Sequence, residues 1–374
     1  MRPLATIAIS CLVALIALPS QAREDVEVND FDDFGAFLDE FRRDSGTPSL
    51  SAVIVKDGEI AWEGYFGTYD DEGDLPTIAE TTYKIASVTK PIAATALMAE
   101  SVAGRLDLAT PMTQDAGWTE LCQFFTTSTT IPFMVGGDDR LGNVISPMDC
   151  ERATTLGEML DMRANGDDFV YNPIAYARID RVLDGAGYRD LRSIVRDNVI
   201  EPAQMTDVAL GWRDPEGGAA LRYLAEPFHV IDGRVVKQPL PDDDFRAAAG
   251  IIASPRNIAA FDIAFDDGRF RASDSDDAGS APELVLAPFV TREIGPLGDY
   301  YRGWFLEDWN GTRLMWHSGW NERQYSALYL KVPEQRLTLI VMANTESVWW
   351  SNSLVKAEII ESPIARRFLE TFGQ

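Results

Sequence analysis

The 374-residue sequence predicts an α/β protein of the α+β type: an antiparallel sheet built from the N- and C-terminal segments, flanked by helices, with a mostly helical subdomain inserted between them. Three observations predict it. Runs rich in β-branched and aromatic residues, broken by turn signals, cluster at 51–66 and 301–343. Helical apolar spacing recurs between them, after Ser87 and at 155–162, 175–186 and 191–200. The hydrophobic fraction, 46%, is that of a chain able to bury a large core.

The chain opens on Arg2, an apolar run Leu4–Leu18 and the small-x-small site Ser20-Gln21-Ala22. This pattern predicts a signal peptide over 1–22 and a mature domain over 23–374, exported to a periplasm or the medium. The run is short for a membrane span, so stable insertion after cleavage is not expected. Cys11 lies inside the apolar run, in a poor context for lipid attachment. Within the mature chain the pattern places a sheet subdomain at about 23–85 and 295–374, and a helical subdomain at about 86–294.

Apolar positions Phe31, Phe34, Phe37, Leu38 and Phe41 have helical spacing. Strands follow at 51–55 and 60–66, joined by an Asp57-Gly58 hairpin turn. A short strand at 81–85 then delivers Ser87 to the start of an Ala-rich helix that ends at Gly104. Residues 109–152 lack periodicity and carry Cys122 and Cys150. An even cysteine count in an exported chain favours a disulfide between them over two buried thiols, and neither has a metal-site partner nearby. Helices are predicted at 155–162, 175–186 and 191–200. Strands are predicted at 301–306, 312–316, 324–332 and 337–343, with Asn310-Gly311 as a hairpin turn, and a final helix at 352–372. No internal repeat or low-complexity tract is present.

A net charge of −26 argues against nucleic acid as a partner, because phosphates would be repelled. Acidic runs such as Asp242-Asp243-Asp244 fit no calcium-loop pattern and are expected in solvated loops.

The chemistry begins at Ser87-Val88-Thr89-Lys90-Pro91. Positions i and i+3 share a helical face, so Ser87 and Lys90 point to one spot. A desolvated lysine can take the proton of a serine hydroxyl, and a helix N-terminus favours a developing oxyanion. The Ser-x-x-Lys pair is weak alone; it recurs at Ser353-Leu354-Val355-Lys356, where no downstream sequence supplies partners.

The first copy has context. From Ser87–Pro91 the chain resembles the serine β-lactamase and penicillin-binding-protein-like superfamily, above all its class C and esterase branch, through Gly104-Arg105-Leu106-Asp107-Leu108, Thr155–Leu160, Phe169-Val170-Tyr171, Ile200–Asp207, Ala248–Ser254 and His317-Ser318-Gly319. The resemblance implies a β-lactamase/transpeptidase-like fold and a two-step acyl transfer that needs no metal or organic cofactor. It implies Ser87 as nucleophile, Lys90 and Tyr171 as general base and acid, and His317 lining the site. It implies an oxyanion hole from the backbone N–H groups of Ser87 and Trp320, and substrate contacts from Asn172, Ser318 and Gly319. Trp304, Trp309 and Trp316 are expected in the core, while His229 has no motif support and is expected to be structural.

Two departures from the family pattern stand out. The expected Tyr-x-Asn reads Tyr171-Asn172-Pro173, and the strand carries His317 where class C β-lactamases carry lysine. Both favour an esterase-like hydrolase acting on a small ester, amide or peptide-like molecule. A β-lactamase or D-Ala-D-Ala carboxypeptidase is the second reading. A non-catalytic relative that binds peptidoglycan or a partner protein is the third.

Overall fold

A computed structural model describes residues 28–127, 148–167, 169–240, 242–270, 294, 298–349 and 358–373. The leader expected at 1–22 and the second Ser-x-x-Lys copy at 353–356 lie outside the described residues.

Helix α1 (Val28–Asp44) leads into the hairpin β1 (Ser49–Lys56) and β2 (Glu59–Gly67). Its turn holds Asp57 and Gly58 at φ of 53° and 85°, as a two-residue hairpin loop requires. Strand β3 (Tyr83–Lys84) hands the chain through a 3₁₀ turn (Ala86–Val88) to α2 (Thr89–Val102). Then come α3 (Trp118–Thr127), α4 (Leu156–Leu160), α5 (Pro173–Tyr176), α6 (Ile179–Ala186) and α7 (Leu191–Val195), which continues as a π-turn to Ile200. Strand β4 (Ala209–Leu210), α8 (Gly218–Arg222), the hairpin β5 (Phe228–Ile231) and β6 (Arg234–Lys237), β7 (Ile251–Ala253) and α9 (Pro255–Asp266) follow. The chain closes with β8 (Asp299–Tyr301), β9 (Trp304–Trp309), β10 (Thr312–Asn321), β11 (Tyr325–Val332), β12 (Leu337–Ala343) and α10 (Pro363–Phe372).

The large sheet has the order β2-β1-β12-β11-β10-β9-β8, antiparallel throughout. Its first two strands come from the N-terminal part and the rest from the C-terminal part, so the sheet is indeed built from both ends. Val53 opposite Ile340 and Leu50 opposite Ala343, in the β1–β12 pairing, stitch these parts together. Strands β11 and β12 are buried along their whole length, as expected where both sheet faces are covered.

Aromatic side chains fasten the terminal helices to each other and to the sheet. Phe31 stacks on Phe372 at 5.1 Å, and Phe34 meets Phe372 at 5.6 Å and Trp62 at 5.9 Å. Helix α9 is held by Phe265 against Trp304 and by Phe261 against Tyr329. It is also pinned by ions: Lys331 Nζ lies 3.0 Å from Asp262 and 2.8 Å from Asp266, and the Tyr329 hydroxyl donates to Asp262 at 2.6 Å.

Several expectations shift. The strand at 81–85 does not join the large sheet but a second one, β3-β7-β4. The four short strands β4 to β7 were too brief for periodicity to reveal. The helix expected over 175–186 is two, bent at Ala177-Arg178, where Arg178 reaches across to Asp115. The last helix begins at Pro363 rather than 352, because proline fits the first turn and the Ser362 side chain accepts from the Ala365 N–H at 3.2 Å. Strand β10 runs beyond 316 to Asn321, which places His317, Ser318, Gly319 and Trp320 on the strand itself. Cys122 and Cys150 are joined as a disulfide with a Cα–Cα separation of 5.7 Å. Among the described residues no helix is long and apolar enough to cross a membrane.

Candidate active site

The site starts where the two sheets meet. Pairing of Tyr83 with Ala253 and of Lys84 with Ile252 fixes β3, and the Ile85 N–H donates to the Ile251 carbonyl at 3.0 Å. The next residue, Ala86, turns sharply at φ 47°, a left-handed conformation uncommon for a residue with a side chain. Ser87 follows at this elbow, half-buried. Strand β10 lies against the elbow because residue 319 is glycine: a Cβ there would sit 2.1 Å from the Ile85 carbonyl oxygen.

Lys90 on the first turn of α2 is fully buried, with Nζ 2.9 Å from Ser87 Oγ. Nζ also donates to the Ala248 carbonyl at 2.8 Å. The rings of Tyr171 and Tyr176 flank it at 5.1 and 5.5 Å. Burial pushes the Lys90 amine well below its ordinary pKa, because these neighbours replace little of its lost hydration. A neutral amine here has an N–H for Ala248 and a lone pair for the Ser87 hydroxyl proton.

Tyr171 comes from the segment before α5, packed on Phe305 (5.3 Å), His317 (5.7 Å) and Tyr300 (6.0 Å). Its hydroxyl is buried with no well-formed hydrogen bond. Burial raises its pKa, and the nearby Ser87 hydroxyl offsets this only in part. A protonated, unengaged phenol at this position is equipped to pass a proton.

His317 on β10 is fully buried. Nδ1 lies 2.7 Å from the Ser318 carbonyl oxygen and Nε2 3.2 Å from the Tyr300 hydroxyl. Burial first, then the neighbouring Lys90, push its pKa well below the ordinary histidine value. The Ser318 hydroxyl is buried and without a hydrogen-bond partner, whereas Trp320 is half-buried. The Trp320 indole stacks on Trp349 at 5.0 Å and donates to Glu346 at 2.5 Å. Glu346 in turn holds His229 Nδ1 at 2.9 Å, a structural contact for that histidine.

The structure thus brings Ser87, Lys90, Tyr171 and His317 into one cluster, with Gly319 beneath the elbow. It does not bring Asn172 to it as a free amide. Asn172 is fully buried; its Oδ1 accepts from the Ala175 N–H at 3.0 Å, capping α5, and its Nδ2 donates to Asn165 at 3.2 Å. At 172 the structure shows a helix cap, for which asparagine followed by proline is well suited. Tyr300, Tyr176 and the Ala248 carbonyl were not singled out from the sequence as parts of the site. They reach it by tertiary packing alone, with no local pattern to mark them. Among the described residues no group of His, Cys, Asp and Glu side chains is arranged to hold a metal.

A mixed sheet-and-helix fold with a serine at a sharp turn, one helical turn before a buried lysine, defines the class: a serine hydrolase fold of β-lactamase type. The Beta-lactamase family model matches residues 34–348, and the chain belongs to that family. Among curated relatives it is similar to Protein flp of Staphylococcus aureus (strain MW2), 20% identical over 326 residues, which are 80% of this chain and 60% of flp. The chain thus spans less than two thirds of that relative. Among solved structures it resembles the octameric penicillin-binding protein homologue from Pyrococcus abyssi, with TM-score 0.62 and 18% identity over 88% of this chain and 76% of the other. It also resembles the D-amino acid amidase from Ochrobactrum anthropi SV3, with TM-score 0.60 and 16% identity over 92% of this chain and 99% of the other.

Proposed function

We propose that this protein is an exported serine hydrolase that cleaves a small ester or amide through an acyl-enzyme on Ser87. The observation that carries the reading is the Lys90 amine, buried, 2.9 Å from Ser87 Oγ and held toward its neutral form. In the first step Lys90 takes the Ser87 proton as Oγ attacks the substrate carbonyl. The oxyanion forms between the backbone N–H groups of Ser87 and Trp320. Tyr171 delivers a proton to the leaving group, which departs to give the acyl-enzyme. Water then attacks the acyl carbon, gives up its proton to the same base system, and releases the acid while Ser87 regains its proton.

The esterase-like branch is favoured over lactam or peptide cleavage, since the Asn172 amide is engaged in capping α5. Family membership supports a second reading, a β-lactamase or D-Ala-D-Ala carboxypeptidase. Turnover of a chromogenic cephalosporin at rates comparable with the best ester would promote it. Export rests on the leader-like residues 1–22, and the Cys122–Cys150 disulfide is compatible with an oxidising compartment. The primary test is a fluorophosphonate probe on wild type and Ser87→Ala. Labelling of the wild type alone is expected; equal labelling of both would sink the proposal.

A further inference from the structure

Tyr300 sits behind the cluster on β8, a fully buried phenol whose hydroxyl meets His317 Nε2. It reaches the reacting groups through that histidine and through edge-on packing against the Tyr171 ring at 6.0 Å. We infer that Tyr300 is a positioning residue that fixes His317 in the Nδ1–H tautomer with Nε2 occupied, so that this strand offers the substrate no cation and the site takes an uncharged group there.

The tautomer follows from the partners. A carbonyl oxygen can only accept, so at 2.7 Å from Ser318 O the His317 Nδ1 must carry a proton. In a neutral ring Nε2 is then an acceptor, and the Tyr300 hydroxyl donates to it. The groups that face the ring are Lys90 from α2, Tyr171 from the segment before α5, Tyr300 from β8 and Phe305 from β9. Lys90 opposes a second positive charge, and the others are neutral side chains that solvate an imidazolium poorly.

Tyr300 also keeps two phenols apart in role. The Tyr171 ring lies 5.7 Å from the imidazole, and its hydroxyl makes no well-formed hydrogen bond, with the Ser87 hydroxyl as its polar neighbour. Without the Tyr300 hydroxyl, Nε2 becomes a buried acceptor in need of a donor, and Tyr171 is the neighbouring phenol able to serve. Tyr300 therefore leaves Tyr171 free to serve Ser87. Nearby cations are already paired, Arg302 with Asp161 and Arg163 with Asp299. The net charge of −26 further disfavours the approach of an anion.

The inference rests on the acyl-enzyme reading for its catalytic meaning, but its test needs no turnover. The chain has two histidines, so ¹⁵N-histidine labelling of the whole protein gives two imidazoles, and His229→Gln assigns them. From pH 5 to 9 His317 is expected to keep a protonated Nδ1 and an unprotonated Nε2 without titrating. A wild-type spectrum showing the Nε2–H tautomer, or a ring that titrates like free imidazole, overturns the inference. Tyr300→Phe, which preserves the ring, is expected to change the His317 nitrogen shifts and lower kcat 10- to 100-fold with KM within threefold. Unchanged shifts and unchanged kcat overturn the positioning role. With matched ester pairs, the uncharged member is expected to have kcat/KM at least tenfold higher than one bearing a carboxylate beside the scissile bond. The opposite preference overturns the substrate class. If Ser87 is not labelled by a fluorophosphonate, the acyl-enzyme reading fails while the nitrogen spectra still decide the tautomer.

Discussion

Lys90 and Lys331 are both fully buried, but they are given different company. Lys331 faces the carboxylates of Asp262 and Asp266, and its charge is matched where α9 crosses the sheet. Lys90 meets a serine hydroxyl, the Ala248 carbonyl and two tyrosine rings, and burial drives it toward the neutral amine. Burial alone therefore does not mark a base. What distinguishes the two is whether a counter-charge is supplied: with one, a buried lysine is a rivet; without one, it is an amine able to take a proton.

The contrast can be broken by substitution. The largest effect is expected at Ser87, the proposed nucleophile: Ser87→Ala should lower ester turnover on the order of 10⁶-fold, read as kcat, with unchanged thermal unfolding. Lys90→Met should lower kcat on the order of 10²–10⁴-fold. Its stability should change by no more than about 2 kcal/mol, since loss of the Ala248 bond is offset by removal of an amine that sheds its proton to fold. Lys331→Met should do the reverse. It strands Asp262 and Asp266, so denaturant unfolding should show a loss of about 3–5 kcal/mol, while kcat per folded molecule stays close to wild type. If Lys331→Met disables catalysis in the folded protein, or Lys90→Met unfolds it, the distinction fails.

The pH dependence sharpens the same comparison. Protonated Lys90 cannot accept the serine proton, so kcat/KM should rise as pH climbs through the depressed Lys90 pKa and level off well below the ordinary lysine range. A limb that appears only near the ordinary lysine value would remove Lys90 as the base.

A smaller effect is expected at Glu307, whose carboxyl is pushed up to about 7, mainly by burial, while accepting from Trp316 Nε1 and the Ile359 N–H. With a folded pKa above the unfolded one, its contribution to stability is fully present below the ordinary carboxylate range and is lost as pH rises to about 7. Glu307→Gln should therefore match wild type near pH 4 and be the more stable protein at pH 8, by thermal unfolding. The smallest effect belongs to the helix cap: Asn172→Ala should cost about 1 kcal/mol of stability and leave the preference between ester and lactam substrates unchanged.

How much of this was legible in the sequence differs by element. The large sheet was readable because its strands, apart from the three-residue β8, are six to ten residues long, with β-branched and aromatic runs separated by Asp57-Gly58 and Asn310-Gly311 turns. The second sheet was not, because strands of two or three residues such as β4 and β7 are too short for a period to appear. The polar start of His317-Ser318-Gly319 hid the end of β10. Ser87 and Lys90 were legible from spacing and context. Tyr171 and His317 were legible only through the resemblance to a family. Tyr300 was illegible, since its partner lies on another strand and is chosen by packing. Asn172 carried a readable signal that points away from substrate: asparagine before proline at the start of a short helix.

Ala86 gives the elbow a further property. Its φ of 47° is one that glycine adopts without steric penalty, and an alanine there carries a strain on the order of 1 kcal/mol. The methyl group also narrows the set of backbone states open to the unfolded chain, and to the folded elbow when it fluctuates. A glycine at 86 would relax the turn but let Ser87 sample orientations away from Lys90. The alanine exchanges a little strain for a narrower distribution of the Ser87 hydroxyl, which keeps that oxygen close to the Lys90 amine.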